Sequence, residues 1–254
     1  MQSNNLALDK SLTKLKDELS ADAQLVIGRA IDEHLLTDFL GHMVGNAAVY
    51  VKVASAADVQ KAVEWAYEHK QCVTVRGAGT NLVGSTIPQG GIVIDVSGLN
   101  RILELDEDNR TIVVEPGVLL CHLQAYVEER GLFYPPDPAE KNATIGGNIA
   151  TNAGGMRAVK YGVTRDYVLA LEVVTPQGKL LTLGTKCLKD STGLNLKHLL
   201  IGSEGTLGVI TKCYLRLIDK PESTCHALVG FKSLNEAIIS VNEIKRALLE
   251  PTAI

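Results

Sequence analysis

The sequence predicts an α+β fold on the strength of three observations. Its first half contains a strand–helix–strand succession: AVYVKV at 48–53, a helix behind Ser55, and CVTVR at 72–76. Later strands come at hairpin spacing, as ILELD and TIVVE over 102–115 and as YVLALEVVT and KLLTL over 167–183. The 23 glycines are spread unevenly, with five in 77–91, five in 146–162 and three in 202–208. Glycine costs backbone entropy and survives where the chain turns through positive φ or must approach something closely. Three such clusters point to a ligand lined by main chain.

The elements follow in order. Residues 11–36 read as helical, with Leu12, Leu15, Leu19, Val26, Ala30 and Ile31 at helical spacing, and 33–46 as a connector. Ser55 is an N-cap for a helix that keeps Val59, Ala62, Val63 and Ala66 on one face. IVIDV at 92–96 is a strand, and Asp108-Asn109 marks the turn of the hairpin over 102–115. A helix over 118–130 ends at Gly131, and Pro176-Gln177-Gly178 turns the second hairpin. VITKCYLRLI at 209–218 is a further strand. Past Pro221, CHALVGF at 225–231 reads as a strand, and Ser233 with Glu236 starts a helix by a capping box. That helix carries Ala237, Ile238, Val241, Ile244 and Leu248 on one stripe and stops at Glu250-Pro251. One strand and one helix cannot bury their faces alone, so this part reads as the opening of a further domain.

Composition excludes several classes. With a formal charge of -4 and no long run of either sign, the chain lacks the basic face of a nucleic-acid binder. No apolar run approaches the ~18 residues of a membrane span. The N-terminal MQSNNLALDKSLTKLKDEL is polar and mixed in charge, unlike a signal or transit peptide, so a soluble, cytoplasmic chain is expected. The five cysteines show no CxxC spacing and the six histidines no HxH or HxxxH pair. No metal site and no disulfide scaffold are expected, and the cysteines read as small, buried and reduced.

The first glycine cluster, RGAGTNLVGST at 76–86, fails two familiar tests. A dinucleotide fingerprint needs a third glycine where Leu82 stands, and it opens a helix that Pro88-Gln-Gly-Gly91 forbids. A phosphate loop needs lysine where Ser85 stands. What survives is a strand feeding a loop whose successive N–H groups, helped by Thr80, Asn81 and Ser85, can meet an anion. Hydrogen bonds to charged groups are worth about 1.5–3 kcal/mol each, so a few can hold a diphosphate without lysine; an ordinary glycine-rich turn is the bland alternative. In the second cluster, YPPDPAEKNATIGGNIATNAGG at 134–155, prolines stiffen the approach and two Gly-Gly pairs bracket small polar residues. Thr144, Asn148, Thr151 and Asn152 are edge donors for a flat ligand. Asn142-Ala-Thr144 matches a glycosylation sequon, an accidental match without a signal peptide. The third cluster, IGSEGTLGVI at 201–210, holds one carboxylate, Glu204, suited to a ribose diol or to plain solvent.

Together RGAGT at 76–80, DPAEKNATIGGNIATNAGG at 137–155 and GSEGTLGVIT at 202–211 resemble the FAD domain of the vanillyl-alcohol-oxidase / p-cresol-methylhydroxylase superfamily. Within it the chain is most similar to the FAD-linked oxidases of the glycolate oxidase and D-lactate dehydrogenase group, over roughly Gly45 to Pro221. The resemblance implies a two-subdomain PCMH-type fold with FAD in the cleft between subdomains. It divides the chain into an N-terminal helical segment (1–44), the FAD-binding domain (45–221) and the start of a truncated C-terminal cap domain (222–254). It implies that Arg76, Gly77, Ala78, Gly79, Thr80, Asn81 and Leu82, with Ser85, wrap the FAD pyrophosphate. Pro136, Asp137, Thr144, Ile145, Gly146 and Gly147, with Thr151, Asn152 and Ala153, line the flavin and its ribityl and phosphate tail. Glu204, Gly205, Val209 and Ile210 meet the adenosine side. Relatives with covalent flavin carry histidine where this chain has Thr80; with no nearby cysteine either, non-covalent FAD is implied. Leu194 stands where relatives often carry Tyr, a departure bearing on packing.

The activity so implied is oxidation of a small 2-hydroxy acid such as glycolate or D-lactate by hydride transfer to flavin N5. The family's substrate clamp, general base and, in several members, divalent metal site belong largely to the cap domain, so no catalytic residue is nominated. Lys160-Tyr161 sits either near the flavin edge or in a packed or solvated place. The alternative is an FAD-binding or electron-transfer module without activity of its own, served by a partner subunit or by the missing domain. A UDP-N-acetylenolpyruvoylglucosamine-reductase-like enzyme using NADPH ranks below both, because KYGVTRDYV and GSEGTLGVIT fit the hydroxy-acid group better.

Overall fold

The computed structural model describes residues 2–254, with side chains from residue 10 onward. Helix α1 (Gln2–Glu18) leads into β1 (Gln24–Ile27), β2 (Val49–Lys52), α2 (Ala56–Glu68), β3 (Val73–Arg76) and β4 (Ile92–Asp95). The four strands form one sheet in the order β1-β2-β4-β3. Strand β4 runs parallel to both β2 and β3, and β1 lies antiparallel on the outer edge of β2. Parallel strands need a crossover, which α2 supplies on one face. Its first turn is capped by Ser55, whose hydroxyl accepts from Asp58 N–H. Val59, Ala62, Val63 and Ala66 then meet Val49, Val51, Ile92 and Ile94 in a fully buried core. Tyr50 and Val93 point to the other face, against Ile31 and Leu36. Burial on both faces explains the unbroken apolar runs of β2 and β4.

The larger unit follows with β5 (Ile102–Asp106), β6 (Thr111–Val114), α3 (Leu120–Glu128), β7 (Leu132–Phe133), α4 (Ile145–Ala150) and α5 (Ala158–Tyr161). After them come β8 (Val168–Val174), β9 (Leu180–Gly184), α6 (Lys197–Leu200), β10 (Val209–Arg216) and β11 (Ile218–Asp219). Strands β5-β6-β10-β8-β9 make an antiparallel sheet, while β7 and β11 pair separately. Leu123 and Val127 of α3, Ile145 and Ile149 of α4, and Tyr134 share one core with Ile112, Leu171 and Leu215 of the sheet. The α+β class and the two-subdomain plan hold. The subdomains are not hinged freely: Val174 and Val209, at the ends of β8 and β10, are buried in the core of the smaller one. Gln60 of α2 also donates to the carbonyl of Gly178 in the turn after β8 (2.9 Å).

Three sequence expectations need correction. The helix read over 11–36 ends at Glu18, and Gln24–Ile27 is a strand followed by two 3-10 turns, Gly28–Ala30 and Glu33–Leu36. Ser20 explains the break: its N–H and hydroxyl both donate to Asp58 (2.8 and 2.7 Å), which turns the chain toward α2. The apolar residues Val26 and Ile31, at helical spacing by coincidence, pack on the outer face of the sheet instead. Second, 225–231 is not a strand but exposed chain without regular secondary structure. A strand needs a partner ladder, and no described strand lies beside it. Helix α7 (Leu234–Arg246) does start at Ser233, whose hydroxyl accepts from Glu236 N–H, but no residue of it is buried. Third, of the cysteines only Cys213 is buried; Cys72, Cys187 and Cys225 are exposed.

Candidate cofactor site

A cleft enclosing about 970 Å³, counting its open mouth, lies where the two subdomains meet. Three segments build it. The loop after β3 supplies Gly77, Ala78, Gly79, Thr80, Asn81, Ser85 and Thr86. The start of α4 and the chain after it supply Thr144, Gly146, Gly147, Asn148, Thr151 and Ala153. The approach to β10 supplies Ser203, Glu204, Gly205, Gly208 and Ile210. The first two segments touch at Gly77 and Thr144, where any Cβ on Gly77 would collide with the Thr144 hydroxyl. That hydroxyl is already committed as the N-cap of α4, accepting from Gly147 N–H at 3.3 Å.

The cleft's chemistry is that of neutral donors. Its lining holds two carboxylates, Glu140 and Glu204, and, among the described residues, no Lys, Arg or His. The main-chain N–H groups of Gly77, Ala78, Gly79 and Thr80 find no acceptor among the described residues. Beside them Asn148, 4% exposed, has an amide nitrogen with no hydrogen-bond partner. A buried unpaired donor costs about 1–3 kcal/mol, which a bound acceptor repays. Free amides around a glycine-lined hollow fit the phosphate oxygens of a nucleotide, and the orphaned amide fits a carbonyl, phosphate or ring acceptor.

Other residues named from the sequence stand outside the lining. Arg76 is 6% exposed and turned away from the cleft. Its Nη1 donates to Thr37 O (2.6 Å) and its Nη2 to His34 O (3.0 Å). Burial pulls its pKa down, against the opposing pull of Asp95, Tyr50 and Asp38. Leu82 points outward, 59% exposed, while Ile145 and Val209 belong to the two cores. Pro136 is buried and its carbonyl accepts from Gln124 (3.2 Å). The Asn152 side chain accepts from Arg165 N–H (3.0 Å). Asp137 is held by Lys141 (2.6 Å) and Arg157 (3.4 Å). Burial pushes its pKa up, but the hydrogen bond and charge of Lys141 and the charge of Arg157 outweigh that and leave it below the ordinary carboxylate range.

Sequence reasoning gave no role at the site to Thr86, Val96, Pro116, Pro138, Glu140 or Ala143, all of which line the cleft. Thr86 closes the first glycine cluster and was within reach. Pro116 is different. It sits in the turn after β6, and a Cβ on Gly146 would lie 2.5 Å from its ring, so this proline backs the start of α4. Nothing local in Glu115-Pro116-Gly117 announces that contact.

Residues 47–184 match the FAD binding domain family. The chain belongs to that family. It is 42% identical over 237 residues to a D-lactate dehydrogenase of Anaerostipes hadrus, covering 92% of this chain and 50% of that one. It is 46% identical over 189 residues to the glycolate oxidase subunit GlcD of Bacillus subtilis strain 168, covering 74% of this chain and 40% of that one. The chain thus spans about half the length of the curated relatives it matches. Its fold is that of alkyldihydroxyacetonephosphate synthase, with a TM-score of 0.80 at 23% identity over 96% of this chain and 47% of that one. The cleft of this domain presents free amides and one buried carboxamide, and no cationic side chain among the described residues of its lining. No helix among the described residues is long and apolar enough to cross a membrane.

Proposed function

We propose that the chain is the cofactor-binding part of an FAD-dependent oxidoreductase that converts a small 2-hydroxy acid, such as glycolate or D-lactate, into the 2-oxo acid. The observation that carries this reading is the inter-subdomain cleft with its row of free amides at Gly77–Thr80 and the unpartnered Asn148 amide. The names of the relatives supply the substrate class. The chemistry that bound FAD supplies is acceptance of a hydride from the α-carbon, while the hydroxyl proton leaves to a base.

The chain's own residues bind and orient. Amides 77–80 and the hydroxyls of Thr80 and Ser85 hold the diphosphate, and Asn148 donates to the cofactor from a site that shuts water out. Thr144, Gly146, Gly147, Thr151 and Ala153 form the narrow wall beside the flavin and its tail, and Glu204 accepts from a ribose hydroxyl. Attachment is non-covalent: Thr80 is in the loop, and among the described residues lining the cleft none is His or Cys.

Residues 45–221, with β1 completing the edge of the smaller sheet, form the FAD-binding domain, and 222–254 open a cap domain, or the surface for a partner subunit, that supplies the substrate clamp and base. The exposure of Leu228, Leu234 and Ile238 favours that division. It equally favours the reading of a module with no turnover of its own. The 254-residue chain is expected to purify yellow, with flavin absorbance, and to release FAD on denaturation. Glycolate or D-lactate is expected to bleach the flavin anaerobically only when the second half that the relatives carry is joined to it. Colourless protein that takes up no added FAD would refute the cofactor reading. An unbleached flavin across a panel of 2-hydroxy acids, with that half present, would refute the substrate class.

A further inference from the structure

Arg76 is the most deeply buried cation of the smaller subdomain, and the cofactor contacts proposed for the cleft do not use it. It ends β3, so the sequence places it at the mouth of the glycine loop, where an anion-binding arginine belongs. The side chain goes the other way. Its guanidinium lies flat beneath the next turn of the loop: a Cβ on Gly79 would stand 2.5 Å from Cζ, and Gly79 adopts φ +71° to pass over it. From there the fork reaches the carbonyls of His34 and Thr37.

The same stretch of chain is clipped to the loop at two more points. Thr86 Oγ1 donates to Thr37 O (3.3 Å), and Phe39 N–H donates to Asn81 O (3.1 Å). Inside the loop, the Asn81 side chain donates to Thr86 Oγ1 (2.7 Å) and accepts from Ser85 N–H (3.1 Å). Residues 34–39 and 76–86 are therefore one hydrogen-bonded unit with Arg76 at its centre, and the cleft sees only the loop's far side.

We propose that Arg76 is a positioning residue that sets cofactor affinity from behind the loop, by making residues 34–39 the back wall on which the 77–80 amides are aligned. This rests on the reading that the cleft takes FAD. It separates Arg76 from a phosphate ligand and from a purely structural residue, because it requires communication between the bound nucleotide and a segment that does not touch it. By linkage, if docking of 34–39 aligns the amides, FAD must in turn stabilise that docking. A lysine keeps the charge but loses the planar fork that spans two carbonyls.

The test uses the full 254-residue chain, stripped of flavin and titrated with FAD, together with amide hydrogen exchange. In the wild type, FAD is expected to slow exchange at Phe39 N–H as well as within 77–86. Arg76→Lys is expected to weaken FAD binding about tenfold or more and to abolish the slowing at Phe39, while FAD still protects Thr151 N–H on the opposite wall. If Arg76→Lys binds FAD within about twofold of wild type, the proposal is overturned. An affinity loss with the FAD effect at Phe39 intact overturns it too, in favour of direct phosphate contact. Should the variant fail to fold, the wild-type measurement decides alone: a Phe39 amide indifferent to FAD sinks the proposal. Wild-type chain that binds no FAD removes the functional reading and this inference together, an outcome distinct from the others.

Discussion

The loop over 77–86 and the segment over 144–153 face each other across one cleft and are held by different forces. The segment over 144–153 is nailed down by apolar packing: Ile145 and Ile149 are both fully buried in the larger core, and Pro116 backs the helix start. The loop over 77–86 has no such anchor. Its own apolar residues, Leu82 and Val83, are 59% and 71% exposed. Its shape comes from polar bonds, through Asn81 within the loop and Arg76 behind it. Packing gives a stiff wall, because a close-packed interior resists small displacements. Hydrogen bonding gives a wall whose net stabilisation is only about 0.5–1.5 kcal/mol per bond, and which therefore yields first. On the proposed reading, one wall fixes where the cofactor lies, and the other governs how tightly it is gripped.

The largest expected effect that would break this contrast comes from Ile149→Ala. Removing a fully buried branched chain from the larger core costs about 2–5 kcal/mol, seen as a lower urea midpoint. FAD affinity should fall only through that loss of fold. If Ile149→Ala left the midpoint unchanged, the wall would not be anchored by packing.

Asn81→Ala addresses the opposite wall and should separate the two quantities. It removes the bonds to Thr86 and Ser85, with an expected loss of roughly tenfold in FAD affinity, about the value of one or two such bonds. The urea midpoint should move far less than for Ile149→Ala. Equal drops in midpoint for both variants would erase the distinction.

The smallest effect concerns how the N-terminal segment is tied back, at Asp58. Burial pushes this carboxyl up, but the bonds it accepts from Ser20, Ala54 and Ser55 outweigh that, so its folded pKa lies below the ordinary value. A carboxylate depressed on folding stabilises the protein above its unfolded pKa of about 3.9 and loses that contribution as pH falls through the folded value. Asp58→Asn should therefore lower the melting temperature at about pH 6 and flatten its decline below about pH 4. Parallel acid limbs for variant and wild type would show that the tie does not depend on the charge.

Much of this was legible in the sequence. Ser55 and Ser233 announce their helices because a cap is a local bond between residues three apart. The hairpins over 102–115 and 167–183 were readable from alternation and turn residues for the same reason. The glycine clusters named two of the three cleft segments nearly complete, and Asn148 with them. The reading failed where contacts are distant. Helical spacing in 11–36 was an accident that Ser20, bonding Asp58 across 38 positions, overrules. The stretch 225–231 has strand composition and no described strand to pair with.

What the linear chain determined by itself is therefore the set of elements, their caps and turns, and which short segments are stripped of side chains to admit a ligand. Propensity, capping and glycine conformation act over a few residues and are written where they act. Only tertiary structure decided that Arg76 faces backward to carbonyls 39 and 42 positions away, that Pro116 buttresses α4, and that one buried carboxamide is left without a partner. A side chain's direction at a loop mouth depends on which partners folding brings within a few ångströms, and no spacing in the sequence encodes that distance.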